Sequence, residues 1–178
     1  MISEAEIIRD CIKGDSSAQE LLYKMFASKM LGVCIRYFKT IEEAEDALQE
    51  GFIKVFSNLK KFRSEGSLEG WIRRIMVNTA LNIYRSSQKH YFHTDIDEIQ
   101  EQFSGDNMFS DNYSCEQLLK MIHDLPTGYR LVFNLFEIEG YSHKEIAEML
   151  SISVNTSKSQ LLKARNILKK KLTNTNHQ

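Results

Sequence analysis

Apolar residues recur along this chain at spacings of three and four, the period of helices that each bury one face. The pattern is clearest in residues 140–165, GYSHKEIAEMLSISVNTSKSQLLKAR, which predict two short helices joined by a tight turn. Ser142 with Glu145 three residues later forms a capping box that opens the first helix. Ile146, Ala147 and Leu150 then share a face. Ile152 fills the turn, Ser153 caps the second helix, and Val154, Leu161, Ala164, Leu168 and Leu172 recur as its buried stripe. Opposite that stripe stand Asn155, Thr156, Ser159 and Lys163, with Lys158 on the flank. Ser, Thr and Asn can bond base edges or phosphates, and lysines neutralise phosphates, so a polar helix of this width fits a major groove. A solvated face on a helical bundle shows the same alternation.

The same period governs the upstream half. Ser3 and Glu6 open a helix whose Ile7, Ile8, Cys11 and Ile12 share a face, and Gly14 and Asp15 end it. A longer helix follows over about residues 17–38, with Leu21, Leu22, Met25, Phe26, Met30, Leu31, Cys34, Ile35 and Phe38 as core candidates. Thr40 and Glu43 open the next, whose inward side takes Ala44, Ala47, Leu48, Phe52, Val55, Phe56 and Leu59. Its outward side groups Asp46, Gln49 and Glu50, which by themselves read as a solvated face. Residues 60–67, KKFRSEGS, have the composition of a loop. After it, LEGWIRRIMVNTALNIYRSSQK is helical, with apolar Trp71, Ile75, Leu81 and Ile83 and polar Arg73, Arg74, Asn78, Asn82 and Arg85. Rings interleaved with cations and amides suit a single-stranded nucleic-acid site; a core tryptophan under a solvated basic face is the alternative.

Periodicity fails over residues 91–112, where Gly, Ser, Asp and Asn accumulate. It resumes with Leu118, Leu119, Ile122 and Leu125, then Pro126, then Tyr129, Val132, Phe133, Phe136 and Ile138 up to Gly140. The expected architecture is therefore all-α. Two small helical domains, 1–90 and 113–178, are joined by a linker over 91–112, and the second is a four-helix unit ending in the helix-turn-helix.

Charge sharpens this picture. The net charge is only −1, but the successive segments 1–53, 54–89, 90–112, 113–151 and 152–178 carry −4, +6, −6, −3 and +6. Two basic blocks separated by an acidic strip suggest two contacts with a polyanion and a middle that avoids it. No apolar run approaches the roughly 18 residues of a membrane span, and the polar, acidic start is unlike a targeting peptide, so a cytoplasmic location without membrane insertion is expected. Cys11, Cys34 and Cys115 are too scattered for a metal site and read as three buried thiols. Neither a metal-ligand cluster nor a nucleophile paired with a base is evident, so no cofactor and no enzymatic site are expected. His90 and His93 read as solvated.

Taken together, DSSAQELLYKMF, EEAEDALQEGFIKVF, GWIRRIMVNTALNIYR and LPTGYRLVFNLFEIEGYSHKEIAEMLSISVNTSKSQLLKARNIL resemble, in order and spacing, the signature stretches of extracytoplasmic-function sigma factors of the sigma-70 family. The resemblance implies a first domain that binds core RNA polymerase and the melted minus-10 element, and a second that binds the duplex minus-35 element. By the same resemblance, Asp46, Gln49 and Glu50 dock on the coiled coil of the largest polymerase subunit. Phe62, Arg63, Ser64 and Ser67 of the loop, with Trp71, Arg74 and Asn78, capture a base flipped from the nontemplate strand. Asn155, Thr156, Lys158, Ser159, Leu162 and Lys163 meet the minus-35 duplex. Gln160 stands where arginine is frequent, and Leu162 where an aromatic or basic residue is. The acidic stretch from Asp95 to Asp111 is either a solvated linker or a segment that enters the RNA exit path. An anti-sigma factor is a further implied partner. The competing readings are a helix-turn-helix regulator that never joins polymerase, which leaves Asp46, Gln49 and Glu50 without a task, and an interaction protein whose basic faces bind an acidic partner.

Overall fold

Local capping signals start most of the helices. In the computed structural model, which describes residues 3–91 and 114–175 and the side-chain surroundings of 3–86 and 114–173, Ser3, Thr40, Ser114 and Ser142 each close a capping box with the Glu or Gln three residues on. Each such cap is worth about 1 kcal/mol. The helices are α1 (Glu4–Ile12), α2 (Ser16–Ile35), α3 (Ile41–Asn58), α4 (Leu68–Tyr91), α5 (Cys115–His123), α6 (Thr127–Phe133), α7 (His143–Leu150) and α8 (Val154–Thr175). No strand occurs among the described residues. The chain divides into two compact units, 1–86 and 87–178. Helix α4 takes in Tyr91, the first residue of the linker expected over 91–112; the rest of that linker with its acidic stretch, and the side chains of His90 and His93, lie outside the described residues.

In the first unit α1 and α3 pack on α2. The core is built from Leu22, Phe26, Met30, Val33 and Cys34 of α2, Ala44, Ala47, Leu48, Phe52 and Val55 of α3, and Leu68, Ile72, Met76, Val77, Ala80 and Leu81 of α4. A Cβ on Gly51 would lie 2.2 Å from Met76 Sδ, so this α3 glycine lets α4 approach. Helix α2 is shorter than expected and is capped by Asp15, whose carboxylate accepts from Ala18 N at 2.8 Å. Asp15 thus opens α2 as well as following the end of α1. Three of the expected core positions, Ile12, Leu21 and Met25, are exposed, because each lies on the flank of its stripe turned away from the neighbouring helices.

In the second unit α6 and α7 pack on α8, around Leu125, Leu131, Val132, Leu135, Ile146, Ala147, Leu161 and Ala164. Helix α6 runs on into a π-helical turn, Asn134–Ile138, and Gly140 leaves it at φ +77°. The buried Arg130 donates to the carbonyl of His123 at 3.1 Å, fastening the end of α5. Helix α5 itself buries no residue completely: Leu118 is exposed, and Leu119 and Ile122 are half-buried. Two sequence expectations are corrected here. Cys115 is exposed rather than buried, since it occupies the first turn of that lightly packed helix. Val154 is 38% exposed, because the stripe it heads runs past its packing partners at the first residue of α8. The buried thiols are Cys11 and Cys34, and burial pushes that of Cys34 up to about 11.

Candidate functional site

Three surfaces carry the residues singled out from the sequence. The first is the outer face of α3. Burial of Ala44, Ala47, Leu48 and Gly51 turns Asp46, Gln49 and Glu50 to solvent as one group. Glu50 pairs with Lys54 one turn on, and Lys54 also reaches Thr79 Oγ1 of α4 at 3.4 Å. Gln49 borders a groove of about 200 Å³ between α2 and α3, lined also by Tyr23, Ala27, Ser28, Leu31, Glu45 and Leu48. This face therefore offers carboxylates and an amide beside an apolar recess.

The second is a cleft of about 520 Å³ at the start of α4. A 3-10 turn at Leu59–Lys61 ends α3, and the loop after it folds back through Ser64, a non-glycine residue at φ +56°. Ser67 then accepts from Gly70 N at 3.1 Å and starts α4. The result places the Phe62 and Trp71 rings 5.5 Å apart, tilted by 51°, at the wall of the cleft. Arg63, Ser67 and Arg74 line it as the sequence suggested, together with Lys61, Glu65, Gly66 and Gly70. Trp71 is half-buried, neither a core residue nor fully exposed. Ser64 shapes the loop without lining the cleft, and Asn78 is exposed one turn beyond Arg74 on the same side of α4. Two aromatic faces bordered by three cations suit a planar ring carried on an anionic backbone.

The third is the helix-turn-helix. The turn passes through Ser151 at φ +56°, and Ile152 N donates to Ala147 O at 3.0 Å. Ser153 Oγ accepts from Thr156 N at 2.9 Å and bonds Thr156 Oγ1 at 2.8 Å. The Thr156 hydroxyl is thereby part of the cap that starts α8. Asn155, Lys158, Ser159, Leu162 and Lys163 are exposed along one side of α8, which Asn166, Lys169 and Lys170 extend. Ser159 Oγ donates to Thr156 O at 3.0 Å, leaving its oxygen to accept from a ligand. Lys163 Nζ stands 5.7 Å from the centroid of the Tyr129 ring. Gln160 is turned aside: its amide lies over Gly128, where a Cβ would come within 3.1 Å of Nε2. It is a packing residue between α6 and α8, which accounts for a glutamine at that position.

Sequence reasoning missed the joint that orients this face. Ser157 is fully buried in the α8 stripe, and its hydroxyl lies 2.9 Å from Nδ1 of His143, the first residue of α7. The His143 ring stacks on Phe136 at 4.5 Å, and Arg165 lies over Phe136 while pairing with Glu137 at 2.6 Å. Burial, then Lys158 and Arg165, hold His143 below the usual imidazole range and favour its neutral form. A serine at a stripe position and a histidine at a helix start were the available signals; only the fold pairs them. Among the described residues no three His, Cys, Asp or Glu are grouped to hold a metal, and no helix is long and apolar enough to cross a membrane.

With this geometry in place, comparisons with known proteins are specific. The family description "Sigma-70 region 2" matches residues 22–90, and "Sigma-70, region 4" matches residues 115–168. The chain is 30% identical to the RNA polymerase sigma-H factor of Pseudomonas aeruginosa, over 95% of this chain and 93% of that one. It is 28% identical to the ECF RNA polymerase sigma-E factor of Escherichia coli K12, over 96% and 95% of the two chains. Among solved structures, the sigma factor RpoE of Bartonella quintana, determined in complex with the anti-sigma factor NepR, aligns over 86% of this chain and 96% of that one with a TM-score of 0.55. At 19% identity that likeness speaks for the fold.

Proposed function

The chain belongs to the sigma-70 family of RNA polymerase sigma factors, in its extracytoplasmic-function branch, and from that premise we propose how its surfaces divide the work of initiation. The protein is a promoter-specificity factor without an enzymatic site of its own; it joins core polymerase and directs it to a class of promoters. Asp46, Gln49 and Glu50 of α3 dock on the coiled coil of the largest polymerase subunit. Phe62, Arg63, Ser67, Trp71, Arg74 and Asn78 hold a base flipped from the melted minus-10 element, with Ser64 acting through the turn of the loop. Asn155, Thr156, Lys158, Ser159, Leu162 and Lys163 meet the minus-35 duplex, with Thr156 acting through the α8 cap and Leu162 able to touch a thymine methyl. Residues 1–90 serve as region 2 and 113–178 as region 4, joined by the acidic 91–112.

The observation that carries this assignment is the cleft at the start of α4, where two tilted rings and three cations converge inside the segment matched to region 2. Stacking is worth about 1–3 kcal/mol per base. Extruding a base costs a few kcal/mol, least once the strands have parted. Capture on Phe62 and Trp71 thus offsets much of that cost and tips a near-balanced opening. Duplex contacts by α8 are mainly electrostatic and fix position, while base-edge contacts select the sequence.

The site of action is the cytoplasm, where polymerase works. An anti-sigma factor is the expected inhibitor, by analogy with the relative solved with NepR. Co-purification with core polymerase tests the scheme against a regulator that never joins it. The wild type should be retained, and Asp46→Arg with Glu50→Arg should abolish retention; full binding by the double variant would remove the α3 face from the account.

A further inference from the structure

Ile53 is 66% exposed, more than any other large hydrophobic side chain among the described residues. It stands well inside α3, far from a frayed end, so its exposure is imposed by the helix register. Glu42, Asp46, Gln49, Glu50, Ile53 and Ser57 fall at spacings of three and four and are all exposed, so Ile53 sits within the strip that carries the acidic patch. A single exposed aliphatic residue is ordinary on a protein surface. One embedded in a polar, charged strip has the layout of a binding hot spot, in which a desolvated apolar centre supplies affinity and a polar rim excludes water.

The carboxylates alone do not account for a tight contact. Long-range attraction raises the encounter rate and selects a basic partner, but desolvating the charges consumes much of what pairing returns. An isoleucine in a helix has one strongly preferred side-chain rotamer and gives up little freedom when covered. We propose that Ile53 is the apolar anchor of the contact with core polymerase, seated in a hole on a helical surface whose flanking Lys or Arg residues face Glu42, Asp46 and Glu50. The partner's identity rests on the family reading above; the anchor rests on the strip. Gln49 belongs to this strip and to the rim of the α2–α3 groove, so the covered surface extends from Ile53 toward Tyr23 and Leu31.

The test uses the full chain with Ile53→Gln, Ile53→Val and, as a control for loss of an exposed apolar group on another helix, Met25→Gln. Affinity for purified core polymerase is measured by fluorescence anisotropy, and folding by thermal melts. Ile53→Gln should weaken binding roughly tenfold or more, the counterpart of withdrawing one buried aliphatic side chain. Ile53→Val should stay close to wild type, as should Met25→Gln, and the melting temperature of Ile53→Gln should be unchanged. Wild-type affinity in Ile53→Gln, or an equal loss in Met25→Gln, overturns the anchor while leaving the family reading intact. Failure of the wild type itself to bind core polymerase overturns both.

Discussion

Lys158 and Lys163 give the helix-turn-helix assignment a quantitative consequence. Both are exposed on α8, and each lysine that neutralises a phosphate contributes about 0.9 to the slope of log affinity against log salt. Raising salt from about 50 to 200 mM therefore costs about 3.5-fold in affinity per phosphate contact. Replacing both lysines with alanine should flatten the slope by about 1.8, so that the double variant loses about 12-fold less affinity than the wild type over that interval. Each single variant should account for about half the change in slope. Folding should persist, since the Lys163 contact with Tyr129 at 5.7 Å is worth no more than about 1 kcal/mol at an exposed site. Anisotropy of a labelled promoter duplex, titrated with each full-length variant across a salt series, measures the slopes, and thermal melts check the fold. An unchanged slope in the double variant refutes the placement of this face on DNA.

Three further outcomes follow from the geometry. Phe62→Ala and Asn78→Ala should each impair promoter opening, read as lower permanganate reactivity of promoter thymines, while polymerase binding persists; the loss for Phe62→Ala should be roughly 5-fold or more, from about 1–3 kcal/mol of stacking, and wild-type reactivity in both would dismiss the cleft. Gly51→Ala should destabilise the first unit by about 1–2 kcal/mol in denaturant melts, since crowding against the buried Met76 outweighs the roughly 1 kcal/mol gained in helix propensity; a more stable variant would contradict the packing described. His143 has its folded-state pKa below the ordinary 6.5, through burial and then Lys158 and Arg165, so the unfolded chain takes up the proton first and the second unit should lose stability as pH falls from about 6.5 through the lower folded value. His143→Gln should lose less over the same window, compared by chemical denaturation at each pH, and an identical pH profile would count against the assignment.

The elements legible in the sequence were those fixed locally. Ser3, Thr40 and Ser142 announced their helices because each capping box lies within four residues. Asp15 reads from the sequence as the end of α1, which it is, but its second task as the cap of α2 shows only in the backbone, because a turn residue between two helices can end one, cap the next or do both. Within α4 the neighbouring apolar residues Trp71–Ile72 and Ile75–Met76–Val77 allow two stripes. The glycine at position 51 of the facing helix selects the one that buries Ile72 and Met76, leaving Trp71 to meet Phe62. The acidic face of α3 and the polar row of α8 followed from helical periodicity alone. The Ser157–His143 bond did not, because its partners are 14 residues apart on different helices. Ile53 falls outside the inward row that periodicity assigns to α3, but the extent of its exposure among the acidic residues emerges only once Ala47, Gly51 and Val55 are seen to fill the core side.

Initiation by reconstituted polymerase tests the central claim most directly. Purified core enzyme is given promoter-bearing fragments of the source genome with and without this protein, and new transcript starts are mapped. A set of start sites that appears only with the protein, shares upstream sequence at the minus-35 and minus-10 positions, and disappears with Asp46→Arg and Glu50→Arg is the expected result. Identical starts with and without it would contradict the account.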